Sequence, residues 1–258
     1  MQRAFYNLTQ SMLNHQRSLD AISNNLTNIN TAGYKKDEIR MNTFQEELIL
    51  VSNRRKTSGK FVQTYVDTSK SNLEQSSFEF TESPFDIGIQ GNVYFNIQGT
   101  NGNVYQTRCG QFELDGEGYL CLNDSGRVLG QNGEIYIGND DFIVDNEGNI
   151  LNENGEVIEK LRLSYIPENA DVTKVGNNLF SYDGAMTIPE GEKYDIIQGC
   201  FEKSNVDANK EITSLMETQR LFEASSAVLK YMDTINGRAA SEIIKLLSLI
   251  HISEPTRP

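Results

Sequence analysis

Near each end of the chain apolar residues recur at alternating steps of three and four, whereas the stretch between them alternates over short runs broken by turn residues. Phe5, Leu8, Met12, His15, Leu19, Ile22, Leu26 and Ile29 fall on one seam of a helix, and only His15 interrupts its apolar character. Toward the other end Leu221, Ala224, Val228, Tyr231 and Ile235 keep the same spacing, while Leu215, Phe222, Leu229 and Met232 form a second stripe on another face. One of these faces can bury inside the chain; the second needs another partner. Thr31-Ala32-Gly33 puts a glycine where a left-handed cap would close the first helix near Asn30. Met41, Phe44, Leu48 and Val51 again step by three and four, which predicts a second short helix. The polar, basic run 52–60 that follows has no periodicity and reads as a linker or exposed loop, whose four basic residues could meet an acidic partner but are more simply solvated.

From Phe61 onward the pattern is that of short strands, such as Phe78-Glu79-Phe80 and Val93-Tyr94-Phe95-Asn96-Ile97. Asn101-Gly102, Asp115-Gly116, Ser125-Gly126, Asn132-Gly133, Glu147-Gly148 and Asn154-Gly155 recur at the spacing of antiparallel hairpins. The stretch from Phe112 to Leu120 resembles that from Phe142 to Ile150, and a further turn follows each, ending at Gly126 and at Gly155; two equivalent hairpins explain the likeness. Helical ends around an all-β middle make the fold class α+β.

Charge sharpens this division. The chain carries a net charge of −13, but residues 61–199 hold 7 basic and 23 acidic residues, so the two ends together are at +3. An acidic middle argues against nucleic acid as a partner. The longest apolar run, from Ile243 to Ile252, is broken by Lys245 and His251 and falls short of a membrane span, so none is expected. The amphipathic start, with Arg3 and Arg17 among polar residues, does not have the form of a cleavable secretion signal. Cys109, Cys121 and Cys200 are odd in number and widely spaced, which suits small buried side chains better than disulfides or a zinc site.

Candidate chemistry is sparse. The two histidines, His15 and His251, lie outside the β-rich stretch, which therefore has no imidazole for a nucleophile triad or a zinc centre. Asp145, Glu147 and Asn149 could act as alternate calcium ligands, but Ile150 stands where such a loop needs glycine, and tight turns use Asp, Asn and Gly in any case. The acidic residues single out no catalytic pair, and no phosphate-cradling glycine loop is present. Neither an enzyme nor a cofactor is expected.

Ile22-Ser23-Asn24-Asn25-Leu26-Thr27-Asn28-Ile29-Asn30-Thr31-Ala32-Gly33-Tyr34-Lys35 closely resembles the N-terminal signature of the bacterial flagellar basal-body rod and hook proteins. Tyr105-Gln106-Thr107-Arg108-Cys109-Gly110-Gln111-Phe112 with Asp115 and Gly118 is similar to that family's central motif, and Gly176-Asn177-Asn178-Leu179-Phe180 to a later one. Gln198-Gly199-Cys200-Phe201-Glu202-Lys203-Ser204-Asn205-Val206-Asp207, with Glu217, Gln219 and Arg220 beyond, completes the resemblance in the family's order. The departures are small: Thr27 stands where the family often has alanine, and Cys109 and Cys200 replace other small or apolar residues.

This resemblance implies terminal helices that pair as a coiled coil inside a tubular assembly, with the β domain outside and linking neighbours. It implies export through the flagellar type III apparatus and a mechanical role, as a structural subunit of the rod that carries torque from motor to hook. The compact middle is closer to the rod proteins than to the hook protein. Its implied partners are further copies and other flagellar rod and hook proteins. The expected domains are 1–55 plus 203–247 as the helical assembly core and 61–199 as the outer β domain. On the assembly face are expected Phe5, Leu8, Met12, Leu19, Ile22, Asn25, Leu26, Ile29, Leu215, Leu221, Phe222, Val228, Leu229, Met232 and Ile235, and the motif positions are Asn24, Asn28, Gly33, Arg108, Gly110, Phe112, Asn205, Asp207, Gln219 and Arg220. For Arg108, a buried carboxylate partner and an exposed contact both stay open.

Apolar burial along one seam does not offset the ordering of a whole terminal helix, so the ends are expected to fold when neighbours cover them. Residues 248–258 are expected to break the helix and resemble a translated sequencing-adaptor tail rather than native sequence. Two other readings are a hook-type axial protein and a β-rich binding module with helical oligomerisation arms. The binding module would need an aromatic-lined groove. A rod-associated cell-wall hydrolase would need an acidic pair in a cleft.

Overall fold

The computed structural model describes residues 2–43, 64–138, 142–167, 170, 172–182, 184, 188 and 193–250. Helix α1 spans Gln2–Thr27 and is followed by strands β1 (Asp37–Thr43) and β2 (Thr64–Ser71). Next come β3 (Phe78–Phe80), β4 (Ile87–Gln90), β5 (Val93–Gln98), β6 (Val104–Thr107), β7 (Glu113–Leu114), β8 (Leu120–Leu122) and β9 (Gly126–Val128). The chain continues through β10 (Phe142–Val144), β11 (Asn149–Asn152), β12 (Val157–Lys160), β13 (Leu163–Tyr165), β14 (Thr173–Gly176), β15 (Leu179–Ser181), β16 (Asp195–Gln198) and β17 (Cys200–Glu202). Helix α2, Ala208–Ile250, ends the described chain. A helix, many short antiparallel strands and a second helix make the fold α+β, as the periodicity implies.

The chain divides into two compact units. One comprises Met1–Ile22, Ile39–Thr68 and Ile212–Pro258, the other Ser23–Glu38 and Ser69–Glu211. In the first lie most of both helices and the ribbon of β1 and β2. The second holds the remaining strands, the last turn of α1 and the first turn of α2.

Strand β5 is the hub of the second unit. It pairs antiparallel with β6, with β9 through Ile97 and Gln98, and with β13 through Val93 to Phe95. Val93, Phe95 and Ile97 face the main core with Ile87, Ile89, Phe112, Leu120 and Ile150, where the Phe95 and Phe112 rings meet edge to face at 4.9 Å. Tyr94 points the other way into a smaller core with Leu73, Ile166 and Phe180. Burial on both faces explains why this strand reads as a nearly unbroken apolar run. The pairs β4–β16 and β3–β17 bring the end of the β region back beside its start.

All six Asx-Gly, Ser-Gly or Glu-Gly pairs singled out in the sequence sit at turns. The two resembling hairpins share one turn geometry: Asp115 Oδ1 accepts from the Glu117 and Tyr119 amides at 2.9 Å, and Asp145 Oδ1 from those of Glu147 and Asn149 at 2.9 Å. These bonds hold both carboxyls below their ordinary range, led by the Tyr119 amide at Asp115 and by the Asn149 side chain at Asp145.

Three local expectations need correction. Met41 is in β1 rather than a short helix, because the Asp37–Thr43 segment finds its ladder partner in the β-branched Thr64–Ser71 segment, far outside any local window. Phe44, Leu48, Val51 and the basic run 52–60 lie outside the described residues. Helix α1 stops at Thr27, a few residues earlier than expected, since the Asn28 carboxamide competes for the Asn24 carbonyl at 2.8 Å. Residues 248–250 remain helical in α2, where no glycine or proline interrupts the apolar run; 251–258 lie outside the described residues.

Candidate functional site

The end of α1, the start of α2 and three segments of the β region converge on one polar junction within the second unit. Gly33 makes the turn that admits this convergence. Its φ of +64° is a left-handed conformation, and a Cβ there would overlap the Arg108 carbonyl. The Gly33 amide donates to the Glu202 carbonyl at 2.7 Å. Residues 34–36 then run between two neighbours. On one side the Asn205 amide donates to the Tyr34 carbonyl at 3.3 Å, and on the other the Asn72 amide donates to the Lys36 carbonyl at 2.8 Å. Asn205 spans both, accepting from the Lys36 amide at 2.7 Å and donating to the Asn72 carbonyl at 2.9 Å.

Beneath this segment lies a charged centre. Lys35 Nζ donates to Glu202 Oε1 at 2.7 Å and to the Glu74 carbonyl at 2.6 Å. Arg108 Nη1 is 3.3 Å from Glu202 Oε2, and all three side chains are about 1% exposed. The Ser76 amide also donates to Glu202 Oε1, at 2.8 Å. Arg108 binds the carbonyls of Ile89 and Gly91 and lies over the Tyr94 ring. Burial pushes the Lys35 ammonium down to about 8, against the pull of Glu202. Among the junction's buried side-chain atoms, Arg108 Nε and Glu202 Oε2 make no hydrogen bond.

Next to this centre, Asn25 joins the two helix ends. Its carboxamide accepts from the Asp37 amide at 2.9 Å and from Tyr34 Oη at 3.1 Å, and donates to the Asp37 carbonyl at 3.0 Å and to Glu211 Oε2 at 3.4 Å. Glu211 is in turn paired with Lys36 at 2.9 Å. Asp207 caps α2, accepting from the Asn209 and Lys210 amides at 3.0 and 3.3 Å. Those amides, Lys210 first, hold its carboxyl below the ordinary range. Lys174 Nζ sits over the Tyr34 ring at 4.2 Å and pairs with Asp37 at 2.9 Å. Burial and then the Asp37 and Glu211 charges push the Tyr34 phenol up to about 12.

Gly33, Arg108, Asn205 and Asp207 meet at the junction. Gly110 sits close by, where a Cβ would overlap the Ile87 carbonyl, and Phe112 packs in the main core. Asn24 and Asn28 bond each other at the end of α1, whereas Gln219 and Arg220 are exposed on α2. Arg108 is a buried partner of a carboxylate, which settles the alternative left open by the sequence. Asn25, expected on the assembly face, is buried among these polar groups. Tyr34, Lys35 and Glu202 stand inside the motifs without having been singled out; Asp37, Lys174 and Glu211 had no signal, because their partners are remote in sequence.

The helices show a different surface. On α1, Leu8, Met12, Leu19, Ile22 and Leu26 are half-buried and Phe5 is exposed, and Ile29, in the turn just past the helix, is also half-buried. On α2 the stripe of Leu215, Phe222, Leu229 and Met232 is half-buried, whereas Leu221, Val228, Tyr231 and Ile235 are exposed, Tyr231 to 70%.

Among the described residues, no three His, Cys, Asp or Glu side chains gather as a metal site would require. Burial raises the thiols of Cys109 and Cys200, and that of Cys121; all three are free. No helix of the described residues is long and apolar enough to cross a membrane.

Three family models match in order along the chain: a flagella basal body rod protein model at residues 5–35, a flagellar hook protein FlgE/F/G D1 domain at 88–140, and the flagellar basal body rod FlgEFG protein C-terminal at 197–242. The chain is 29% identical over 264 residues to the flagellar basal-body rod protein FlgG of Bacillus subtilis, an alignment that covers 91% of this chain and 97% of that protein. It is 28% identical over 272 residues to the flagellar hook-basal body complex protein FlhO of the same species, covering 95% and 100%. Over 258 residues it is 28% identical to the flagellar basal-body rod protein FlgF of Caulobacter vibrioides, covering 95% and 98%. The first and last models meet the junction at Gly33, Tyr34 and Lys35 and at Glu202, Asn205 and Asp207, so the matched ends are the ones that the junction ties together. The chain belongs to the flagellar basal-body rod protein family.

Proposed function

We propose that this chain is a structural subunit of the flagellar basal-body rod, which polymerises with its own kind and with other rod and hook proteins into the axial shaft that carries torque from motor to hook. The observation that carries this reading is the exposed apolar stripe of α2. Leu221, Val228, Tyr231 and Ile235 keep a heptad-like spacing, yet the single chain leaves each of them 47% or more exposed. Neighbouring subunits in a tube would cover them. In this reading residues 1–55 with 203–247 form the assembly core, their helices pair as a coiled coil there, and 61–199 form the outer domain. The junction keeps both helix ends seated in the β region under load.

The place of action is the basal body, and the work is mechanical rather than catalytic. A hook-type role is disfavoured, since the relatives carry rod and hook-basal body names. Passage through the flagellar type III export apparatus is the route that the proposal requires. A clean deletion in the parent organism tests it. Loss of swimming with basal bodies whose rods stop short is expected, and normal flagella with complete rods would refute the reading.

A further inference from the structure

Asn-Gly pairs stand at Asn101-Gly102, Asn132-Gly133, Asn154-Gly155 and Asn236-Gly237. In each, the glycine nitrogen, with no β-carbon beside it, can reach the carboxamide carbon of the preceding asparagine. The fold restrains them unequally. Asn101 Nδ2 donates to Tyr105 Oη at 2.7 Å, its Oδ1 accepts from the Asn103 amide at 3.1 Å, and the Gly102 amide donates to the Gly99 carbonyl at 2.9 Å. Asn132 Nδ2 donates to both oxygens of Glu159 at 3.1 Å. That clamp fixes the side chain, and its charge opposes the anion that attack would develop at the Gly133 nitrogen. Asn236-Gly237 lies inside α2, so its reactivity follows the opening of that helix rather than a turn.

Asn154 is the least restrained of the three in the β region. It sits in the turn that joins β11 to β12, which repeats the geometry of the Asp115 and Asp145 turns. Asn152 Oδ1 accepts from the Asn154 and Glu156 amides at 3.0 Å, and the Gly155 amide donates to the Asn152 carbonyl at 2.9 Å. The other two turns carry Glu117 and Glu147 at the equivalent position. Among the described residues the Asn154 carboxamide has no hydrogen-bond partner. The residue is exposed, and nothing lies within 4 Å of where a Gly155 Cβ would stand. Opening one exposed hydrogen bond therefore frees the Gly155 nitrogen for attack.

We propose that Asn154 is a site of self-modification, at which the chain converts asparagine to aspartate and isoaspartate without an enzyme. The Gly155 nitrogen loses its proton to solvent base and bonds to Asn154 Cγ. The Cγ–Nδ2 bond breaks, ammonia leaves with a proton from solvent, and a five-membered succinimide closes. Water then opens the ring. Addition at Cγ restores the ordinary backbone with an aspartate side chain, whereas addition at the backbone carbonyl routes the chain through Cβ and Cγ as isoaspartate. Ammonia is lost, water is gained and no electrons are transferred. Both products add a negative charge beside Glu153 and Glu156, and isoaspartate lengthens a turn that sets the register of β11 against β12. The site is independent of the rod-subunit reading.

The test is peptide mapping by mass spectrometry of the purified full chain, held in mildly alkaline buffer and shown to stay folded by near-ultraviolet circular dichroism. A parallel sample is held in urea. In the folded chain Asn154 should convert about tenfold or more faster than Asn101, and about threefold or more faster than Asn132, because fewer hydrogen bonds restrain it. In urea, where no turn survives, the three rates should converge to within about twofold. Asn154→Gln should remove the early isoaspartate, read by enzymatic carboxyl methylation of the intact chain. Glu159→Ala should raise the Asn132 rate about threefold and leave that of Asn154 unchanged. Conversion first at Asn101 or Asn132, an Asn154 that stays intact while either of them converts, or the same order of rates in urea as in the folded chain would overturn the proposal.

Discussion

Glu202→Gln removes a buried negative charge that faces two cations at once. Oε1 is 2.7 Å from Lys35 Nζ and Oε2 is 3.3 Å from Arg108 Nη1, with every side chain about 1% exposed. Glutamine keeps the shape and can still accept from the Ser76 amide, so the substitution isolates the charge. It leaves two cations buried without a counter-ion, and breaking a buried pair in this way costs about 3–5 kcal/mol. For a chain of this size each kcal/mol lowers the melting midpoint by about 2–4 °C, so a fall of about 6–20 °C is expected. Lys35→Met is the matched comparison. Methionine fills much of the lysine stem's space, Arg108 remains to balance Glu202, and the ammonium that is lost is one that burial already disfavours. Its cost should therefore be clearly smaller, and the double variant should recover part of the loss. Urea titration of the purified full chain, followed by near-ultraviolet circular dichroism, measures all three. The reasoning is refuted if Glu202→Gln lies within about 1 kcal/mol of the parent, or if Lys35→Met costs as much.

The junction also sets a pH dependence. Lys35 releases its proton at about 8 when folded, below its ordinary 10.5, so across that interval the unfolded chain holds the extra proton and stability rises with pH. Tyr34 acts in the opposite sense at higher pH: its folded value of about 12 exceeds the ordinary 10.0, so its contribution is lost as pH climbs from 10.0 toward 12. Denaturation series over this range should lose the rise in Lys35→Met and the fall in Tyr34→Phe. Gly33→Ala should cost at least about 2 kcal/mol, because the new methyl meets the Arg108 backbone in a left-handed conformation, whereas Gly155→Ala, with φ of +80° and open space, should cost only about 1. Val228→Asp should change thermal stability by less than about 0.5 kcal/mol yet abolish incorporation into basal bodies, since Val228 is exposed in the single chain. Amide exchange in the dilute monomer should be far faster along α2 from 215 to 245 than in β5, as little tertiary packing protects that helix.

The periodicities made the architecture legible, because each reflects a local choice. A three-four repeat marks α1 and α2, and alternation with Asx-Gly turns marks the hairpins, whose Asp115 and Asp145 turns match bond for bond. What stayed hidden was non-local. Lys35 and Glu202 are 167 residues apart, and neither carries a mark of the other. The same holds for Asn25, which the resemblance puts on the assembly face but which meets Glu211 at a separation of 186 residues. Met41 fitted a helical step by spacing, and only its remote ladder partner makes it a strand. The resemblance named the right segments, yet it took the fold to show that Gly33, Arg108 and Asn205 serve a single junction.

The central claim is that this chain is built into the rod through the apolar faces its own fold leaves open. Electron cryo-microscopy of basal bodies isolated from the parent organism, at a resolution that traces side chains, tests this most directly. The account expects the chain in the rod, with Leu221, Val228, Tyr231 and Ile235 packed against neighbouring subunits. A rod that lacks the chain, or one in which those residues face solvent, would contradict it.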